Sequence, residues 1–262
     1  MLLVIDVGNT NIVLGLLEGR EIREHWRIST NQRTTDELGL LLLELLRHQG
    51  FDPGQIHGAI VSCVVPSTLY SIEKACRRYL NHTPMVVGRG LRTGMRVRTD
   101  NPREVGSDRI VNAVAAMEVW KPPMVVVDFG TATTFDCVNV HGEYVGGAIA
   151  PGLQISADAL FTRTAQLPRV EVAKPKRAIG TSTVESMQSG LFFGYVGLVD
   201  HLARVCKQEL SSSPDTPVTV IATGGLSNLI GRACAEIDEV DEHLTLRGLS
   251  LLYERNAGAP SR

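Results

Sequence analysis

An apolar run broken by a polar turn occurs twice in this chain, and the repetition is the strongest constraint on its fold. Residues 2–17 read LLVIDVGNTNIVLGLL, and residues 124–140 read MVVVDFGTATTFDCVNV. In both copies a buried strand ends on an aspartate, and a turn with glycine and threonine leads into a second strand. Asp6 corresponds to Asp128, and Gly8 corresponds to Gly130. A repeat of about half the chain indicates two similar domains rather than a solenoid.

Further strand and helix patterns follow each copy, and we expect an α/β fold with mixed sheets and a duplicated βββαβα plan. The predicted domains are 1–115 and 116–262. Strands are predicted at 2–7, 11–17, 21–28 and 84–89, and a capped helix begins at Thr35 or Asp36. One extra residue in the second turn would pair Thr10 with Thr133 and Gly19 with Gly142. A short helix is expected after residues 217–225. The helix after GSDR should bury one face, made of Ile110, Val111, Val114, Ala115 and Val119.

Composition narrows the class of protein. A net charge of −2 and a pI near 6.4 give no reason to expect a nucleic-acid or anionic-membrane partner. The run LGLLLLELLRHQG is short and contains Glu44, which predicts a core helix rather than a membrane span. No basic segment precedes the first strand, so no signal peptide is expected. Five cysteines without a C-x-x-C pair favour free thiols, and we expect a cytoplasmic protein.

The two aspartate turns predict phosphate binding. Backbone N–H groups and a threonine hydroxyl at such a tip form a site for an anion. A carboxylate beside phosphate is repulsive unless a cation lies between them, so Asp6 and Asp128 would imply Mg²⁺. The alternative is that each aspartate merely caps its turn. One turn alone would favour that alternative, but a matched pair in a duplicated context favours phosphate.

A second candidate site is the segment NPREVGSDR, residues 101–109. Asp108 and Arg109 lie in the first turn of an apolar helix, where the positive end of the helix dipole should lower a carboxylate pKa and attract anions. Asp108 could then accept a hydroxyl proton while Arg109 orients an anionic substrate. Alternatively, Ser107 or Asp108 is only a helix cap, and the six arginines from Arg89 to Arg109 form a solvated face. Spacing alone does not decide between them.

Two glycine-rich segments, residues 146–156 and 222–227, also precede predicted helices. Backbone without side chains would allow a flat ligand such as adenine to approach, and tight helix–sheet packing explains the glycines equally well. No G-x-x-x-x-G-K-[ST] is present, the glycine spacing of GRGLRTG does not fit G-x-G-x-x-G, and no H-E-x-x-H occurs. A P-loop, a dinucleotide fingerprint and a zinc site are therefore not predicted.

Five motifs, taken in order, resemble a known family: DVGNTNIVLG, NPREVGSDR, DFGTATTFD, GGAIAPG and ATGGLS. The chain is similar over nearly its whole length to type III pantothenate kinases, members of the sugar kinase/Hsp70/actin ATPase superfamily with two RNase H-like domains. The resemblance implies transfer of the ATP γ-phosphate to pantothenate, the first step of coenzyme A biosynthesis. It also implies a homodimer, Mg²⁺ with ATP, and K⁺ or NH₄⁺.

The resemblance assigns roles by position. Asp108 corresponds to the proton acceptor, and Asp128 to the monovalent-cation ligand, which leaves Asp6 as the candidate for Mg²⁺. Thr131 corresponds to an ATP contact, and Thr183 to a pantothenate contact near the dimer interface. The first ATP-phosphate segment comprises Asp6, Val7, Gly8, Asn9, Thr10, Asn11, Ile12 and Val13. The pantothenate segment comprises Gly106, Ser107, Asp108 and Arg109.

Two positions depart from the family pattern, both on the pantothenate side. Thr99 stands where the family often has tyrosine, and Ser182 stands where it usually has asparagine or aspartate. These departures keep open a kinase of the same fold for another small hydroxy acid or sugar. A non-enzymatic accessory factor for transcription is a further alternative, although the chain keeps the acids and turns needed for chemistry.

Overall fold

The computed structural model describes residues 1–88, 90–211, 213 and 216–258, and the chain divides into two compact units. The first unit contains residues 1–94, 103–115 and the chain from Thr245 onward, and the second contains residues 95–102 and 116–244. These units differ from the contiguous domains expected above. The chain from Thr245 belongs to the first unit because Thr245 Oγ1 donates to Asn112 Oδ1 at 2.7 Å, and because Gly248 packs against the Val111 carbonyl.

The first unit is built on a five-stranded mixed sheet of order β3-β2-β1-β4-β5. The strand β1 pairs antiparallel with β2 and parallel with β4. The helices α1 and α2 pack on this sheet, and a third helix, α3, comes after the five strands in the chain. The elements are β1 (Leu2–Val7), β2 (Asn11–Glu18), β3 (Glu21–Ser29), α1 (Thr35–His48), β4 (Gly58–Cys63), α2 (Pro66–Leu80), β5 (Met85–Val86) and α3 (Ser107–Val119).

The second unit is built on a six-stranded sheet of order β11-β10-β7-β8-β9-β6. The strand β7 pairs antiparallel with β8 and parallel with β10, and β6 adds to the outer edge beside β9. The elements are β6 (Arg96–Val97), β7 (Met124–Phe129), β8 (Ala132–Val138), β9 (Glu143–Pro151), α4 (Leu153–Arg163), α5 (Thr183–Leu210), β10 (Thr219–Thr223) and β11 (Glu239–Val240). The last helix, α6 (Leu244–Asn256), belongs to the first unit from Thr245 onward.

The predicted duplication is confirmed strand by strand. The order β3-β2-β1-β4-β5 of the first sheet reappears in the second as β9-β8-β7-β10-β11, with the same parallel and antiparallel partners around the central strand. Helices α1 and α2 cover the first sheet through a buried apolar cluster, and α4 and α5 contribute to the corresponding cluster of the second. The α/β class with two mixed sheets is therefore confirmed.

The expected alignment of the two turns is wrong. Val7 pairs with Ile12, whereas its counterpart Phe129 pairs with Thr133, so the second turn is one residue shorter rather than one longer. Thr133 therefore corresponds to Ile12, and both side chains are almost fully buried. The hydroxyl of Thr133 is hydrogen-bonded to that of Tyr195 within the core and does not lie at the tip of the turn.

Three local predictions need correction. The short helix expected after β10 is a series of turns and a 3₁₀ segment, Gly231–Ala233, because glycines 224, 225 and 231 weaken a helix there. Val119 is 61% exposed because it is the last residue of α3, while the other four residues of its predicted face are buried. The strand predicted at 84–89 is limited to β5, and Arg89 lies outside the described residues.

Helix α1 begins one residue after the side chain that caps it. The Thr34 hydroxyl accepts from the Glu37 amide at 3.3 Å, and the Glu37 carboxylate accepts from the Thr34 amide at 2.7 Å, which forms a capping box. Among the described helices, none has the length and apolarity that a membrane crossing requires.

Gly39 sets the distance between α1 and α2, and we expect Gly39→Ala to be destabilising. A Cβ at this position would overlap the Tyr79 ring, which is held by its hydroxyl at 2.7 Å from Asp36 Oδ1. Alanine would gain about 1 kcal/mol in helix propensity, but overpacking costs about 1–3 kcal/mol. Urea unfolding should therefore show a net loss of up to about 2 kcal/mol.

The control is Leu40→Ala, since Leu40 is 58% exposed on the same helix. It should change the free energy of unfolding by no more than about 0.5 kcal/mol. A Gly39→Ala variant more stable than wild type would show that the Tyr79 ring moves aside at little cost.

Candidate active site

The first glycine turn is held closed by hydrogen bonds from two directions. The Gly8 amide donates to the Asn11 carbonyl at 3.0 Å. Thr30, just after β3, donates from its hydroxyl to the Gly8 carbonyl at 2.7 Å and from its amide to the Thr10 carbonyl at 2.8 Å. Asn9 and Thr10 are exposed at the tip. The turn is therefore rigid without a ligand, which is what a preformed anion site requires.

The residues of this segment differ in what they can offer. Asp6 is half-buried in the central strand, beside Val13 on one side and Ser62 on the other. The side chains of Val7 and Ile12 are buried in the core, so these two residues can contact a ligand only through their backbone. Sequence motifs do not make this distinction, because it depends on which way each side chain points from the sheet.

The second turn is tighter, and a glycine packs beneath it. The Gly130 amide donates to the Ala132 carbonyl at 3.1 Å, and the Gly152 amide donates to the Thr131 carbonyl at 3.2 Å. A Cβ on Gly152 would overlap the Thr131 carbonyl oxygen. Thr131, the predicted ATP contact, is half-buried, and this packing fixes its backbone.

Asp128 is the penultimate residue of β7, the central strand of the second sheet, and lies next to Gly224. Gly224 has a φ of +91°, and a Cβ there would overlap Asp128 Oδ1. Only glycine fits this position, both for its backbone and for its contact with the carboxylate. The sequence left two explanations for these glycine-rich segments, tight packing and close approach of a ligand. For Gly152 and Gly224, close packing explains the glycine.

The predicted acceptor segment forms the start of α3. Ile110 makes the first backbone bond of the helix, to the Gly106 carbonyl at 3.4 Å. The carboxylate of Asp108 folds back onto its own turn, where Oδ1 accepts from the Arg109 amide at 2.8 Å and lies 2.5 Å from the place a Cβ on Gly106 would take. The structure thus brings together all four predicted residues, Gly106, Ser107, Asp108 and Arg109, each half-buried.

The expected effect of the helix dipole on Asp108 is overturned. Burial raises the pKa of Asp108 above its ordinary value, and the hydrogen bond from the Arg109 amide and the charge of Arg109 only partly oppose this shift. Desolvation disfavours the ionised form more than the helix terminus favours it. A carboxylate with a raised pKa is a better proton acceptor than an exposed one.

The arginines of the 89–109 segment do not form one group. Arg96 and Arg98 are largely exposed and face Glu143, at 3.9 and 3.1 Å from its Oε1. These two fit the solvated-face alternative, whereas Arg109 is half-buried. Thr99, one of the departures from the family pattern, has a buried Oγ1 with no hydrogen-bond partner among the described residues.

The second departure has a physical explanation. Ser182 caps α5, and its hydroxyl accepts from the Glu185 amide at 3.2 Å. Serine, asparagine and aspartate all perform this task. Thr183 follows as the first residue of the helix and is exposed. Thr183, the predicted pantothenate contact, therefore lies at a capped helix end.

Within the described part of the chain, no three His, Cys, Asp or Glu side chains converge as a metal-ligand cluster. Asp6 and Asp128 each offer a single carboxylate. One carboxylate suits Mg²⁺ that arrives with nucleotide phosphates and keeps most of its water, and it does not suit a resident metal cage.

Three supporting residues were missed by sequence reasoning. Thr30 closes the first turn, as described above. Tyr195 donates to the Pro151 carbonyl at 3.2 Å and is hydrogen-bonded to Thr133, so it supports the segment that carries Gly152. Ser62 lies beside Asp6 and within 3.0 Å of Ser107 Oγ. No sequence motif marks these positions, because each acts across strands or helices that are distant in sequence.

Asp108→Asn should stabilise the protein at neutral pH. The pKa of Asp108 is higher in the native state than in the unfolded chain, so between these two pKa values the native state binds more protons. The stability that this group contributes is therefore lost as the pH rises through the native pKa. Asparagine removes the buried charge and can still accept from the Arg109 amide. We expect a higher urea midpoint than wild type at pH 7, and a difference that fades below about pH 4.

Glu18→Gln is the matched control, since the Glu18 side chain is 67% exposed. It should leave the midpoint nearly unchanged at both pH values. A lower midpoint for Asp108→Asn at pH 7 would mean that the hydrogen bonds of the carboxylate outweigh its desolvation.

The fold and the sequence can both be compared with known proteins. Two solved structures are similar to nearly the whole chain. The ethanolamine utilization protein EutJ from Carboxydothermus hydrogenoformans has a TM-score of 0.54 and 14% identity, and the match covers 95% of this chain and 89% of that one. The activator of the 2-hydroxyisocaproyl-CoA dehydratase from Clostridium difficile with bound ADPNP has a TM-score of 0.52 and 13% identity, and the match covers 97% of this chain and 94% of that one. At these identities the likeness shows the fold alone.

Sequence relatives are far closer. A protein named type III pantothenate kinase from Syntrophotalea carbinolica is 55% identical over 259 residues, which covers 98% of this chain and all of the relative. One of the same name from Halalkalibacterium halodurans is 49% identical over 257 residues, with 98% and 100% covered. The sequence model of the family described as type III pantothenate kinase matches residues 2–205. The chain belongs to the type III pantothenate kinase family.

Proposed function

We propose that this protein transfers the γ-phosphate of ATP to the primary hydroxyl of pantothenate and forms 4'-phosphopantothenate, the first step of coenzyme A biosynthesis. The observation that carries the proposal is the start of α3, where the Asp108 carboxylate is half-buried, has a raised pKa and lies among the four residues assigned to the acceptor substrate. Full-length similarity to relatives named type III pantothenate kinase supports the identity of that substrate.

Each unit carries residues that we assign to ATP. In the first unit, the turn within Asp6–Val13 offers backbone N–H groups and the exposed side chains of Asn9 and Thr10 to the phosphates. In the second unit, Thr131 contacts ATP from the shorter turn. Both turns are fixed by the hydrogen bonds described above, so little reorganisation is needed when charge spreads over the transferred phosphoryl group.

Two cations complete the proposal. Asp6 would contact Mg²⁺ bound to ATP, directly or through water, and Asp128 would bind K⁺ or NH₄⁺. When bound, these cations neutralise negative charge on the phosphates. Without such neutralisation, the two carboxylates would repel the nucleotide.

The residues that we assign to the acceptor lie mainly at the start of α3. Asp108 accepts the proton of the pantothenate hydroxyl as that oxygen attacks the γ-phosphorus, and its raised pKa improves its match to this task. Arg109 carries a guanidinium suited to the carboxylate of pantothenate. Ser107 and the Gly106 backbone contribute polar contacts, and Thr183 provides a further one.

One observation favours a second candidate, a kinase of the same fold for another small hydroxy acid or sugar. Thr99 replaces a tyrosine common in the family, and its buried hydroxyl has no partner among the described residues. A changed contact at this position could alter which acceptor is preferred. A panel of acceptor alcohols, assayed beside pantothenate, distinguishes the two.

Pantothenate-dependent release of ADP is the first test. With Mg·ATP we expect turnover in K⁺ buffer that falls in Na⁺ buffer, because Asp128 requires a cation of suitable size. Asp108→Asn should lower kcat by about 100-fold or more while ATP binding, measured by calorimetry, stays close to wild type.

Turnover that is equal in K⁺ and Na⁺ would remove the cation role from Asp128. Full activity of Asp108→Asn would remove the proton acceptor. Intact ATP binding without turnover on any acceptor would point to the regulatory accessory factor. We also propose a cytoplasmic location, which the cysteine pattern and the substrates favour.

A homodimer is part of the proposal, and the surface of the second unit supports it. Several large apolar side chains between residues 149 and 193 are exposed, which favours an interaction surface in this part of the chain. Those exposed by 40% or more are Ile149, Ile155, Phe161, Ile179, Val184 and Phe193. On α5, Gly190, Gly194 and Gly197 fall on the same face as Phe193, are exposed, and have no other atom near the place of a Cβ. A helix from a second copy could approach closely there.

Gly194→Leu should weaken this dimer, because the added side chain would hold the facing helix away from α5. We expect sedimentation equilibrium to show a dimer dissociation constant raised at least about tenfold. Gln208→Leu, at an exposed position near the end of the same helix, is the control and should dimerise like wild type. An unchanged dimer in Gly194→Leu would place the interface elsewhere.

A further inference from the structure

Ser62 is a fully buried hydroxyl that connects the two candidate sites of the first unit. It lies in β4 with 0% exposure, and its Oγ is 3.0 Å from Oγ of Ser107. Ser107 is the first residue of α3 and directly precedes Asp108. This hydrogen bond joins residues 45 positions apart in the chain and ties the sheet to the beginning of the helix.

The other neighbour of Ser62 is Asp6. The two residues are register partners in the parallel pair of β1 and β4. Asp6, Ser62 and Ser107 therefore form a series that runs from the nucleotide-binding strand to the acceptor-binding helix.

The second unit shows what the same position does without such a link. Thr223 is the register partner of Asp128, as Ser62 is of Asp6, and it is also fully buried. Its Oγ1 has no hydrogen-bond partner among the described residues. The repeat thus places a hydroxyl beside each aspartate, and the described contacts connect only the hydroxyl of the first unit to a helix start.

We propose that Ser62 is a positioning residue that holds the first turn of α3, and through it Asp108 and Arg109, in the geometry needed for the acceptor. The first amides of a helix lack partners within the helix, so this turn is where a helix opens most easily. A small displacement of a proton acceptor costs much of its effect on rate. The role assigned to Ser62 in catalysis rests on the function proposed above.

A buried serine could also be an ordinary part of the core, and Ser250 provides the comparison. Ser250 lies in α6 of the same unit, is 2% exposed, and its Oγ has no hydrogen-bond partner among the described residues. Ser250→Ala removes a buried hydroxyl of the same kind without removing a hydrogen bond to α3. Effects seen with Ser62→Ala and not with Ser250→Ala therefore report on the bond to Ser107.

The kinetic test compares Ser62→Ala, Ser107→Ala and the double variant. We expect kcat/KM for pantothenate to fall about five- to tenfold in Ser62→Ala, the loss of one hydrogen bond, while KM for ATP stays within about twofold of wild type. The double variant should be no slower than Ser107→Ala, because the two hydroxyls act through the same bond. Ser250→Ala should match wild type.

Hydrogen exchange provides a second readout that needs no substrate. In Ser62→Ala, the amides from Ile110 to Asn112 should exchange faster than in wild type and in Ser250→Ala, while those of β1 and β4 do not change. If Ser62→Ala does not fold, Ser62→Cys, which is close in size and has a weaker hydrogen-bonding thiol, replaces it in both measurements.

The outcomes separate the two proposals. If wild type phosphorylates pantothenate, a Ser62→Ala variant that matches Ser250→Ala in kinetics and exchange overturns the positioning role. If wild type shows no pantothenate-dependent turnover, the proposed function fails, and exchange alone decides whether Ser62 holds α3. Unchanged exchange from Ile110 to Asn112 then overturns the inference, and faster exchange confined to that turn supports it.

Discussion

The central strand of each sheet is the constraint on which the rest of the structure depends. In β1 and in β7, an antiparallel partner on one side and a parallel partner on the other fix the register of every residue. A slip of one residue would exchange the buried and outward faces of the strand. This double pairing holds Asp6 beside Val13 and Ser62, and it holds Asp128 beside Thr134 and Thr223. The carboxylates are therefore positioned by backbone hydrogen bonds and by the core beneath, before any ligand contributes.

The sequence predicted what depends on local pattern. Apolar periodicity and capping residues predict the strands β1, β2, β3, β7 and β8 and the helices α1 and α3, and the repeat predicts two similar domains. What could not be predicted depends on pairing across space. Alignment of Thr10 with Thr133 in the sequence placed Thr133 at a turn, whereas the pairing of β7 with β8 places it in the core. No local sequence pattern indicates that the chain from Thr245 packs against Asn112, or that the Ser62 hydroxyl lies beside Ser107.

Asp108 shows how two opposing electrostatic effects are decided. A helix N-terminus favours a carboxylate by about 0.3–1 kcal/mol at an exposed site, while burial can shift a pKa by several units in the other direction. Sequence reveals the first effect, because it identifies the helix start, but it does not reveal the burial. Here burial dominates, so the group that suits proton transfer also carries a cost in stability. Such conflicts between local preference and final environment are expected where residues serve chemistry rather than folding.

The duplication gives both units the same strand arrangement around the central strand. The units differ in the strand that pairs parallel with it, β4 or β10, and in the segment that follows that strand. In the first unit, β4 presents Ser62 toward Ser107, and a full helix, α2, follows from Pro66. In the second, β10 ends in Thr223 and continues into Gly224, which leaves room for the Asp128 carboxylate, and turns replace the helix. A glycine beside one aspartate suits a cation held by that carboxylate, and a hydroxyl beside the other suits a fixed helix start. Ser62 is the register partner of Asp6, and Gly224 directly follows Thr223, the register partner of Asp128. On the functions proposed above, Ser62 holds a helix start and Gly224 leaves room for the carboxylate assigned to a cation, so substitutions at Ser62 and Gly224 should affect different steps.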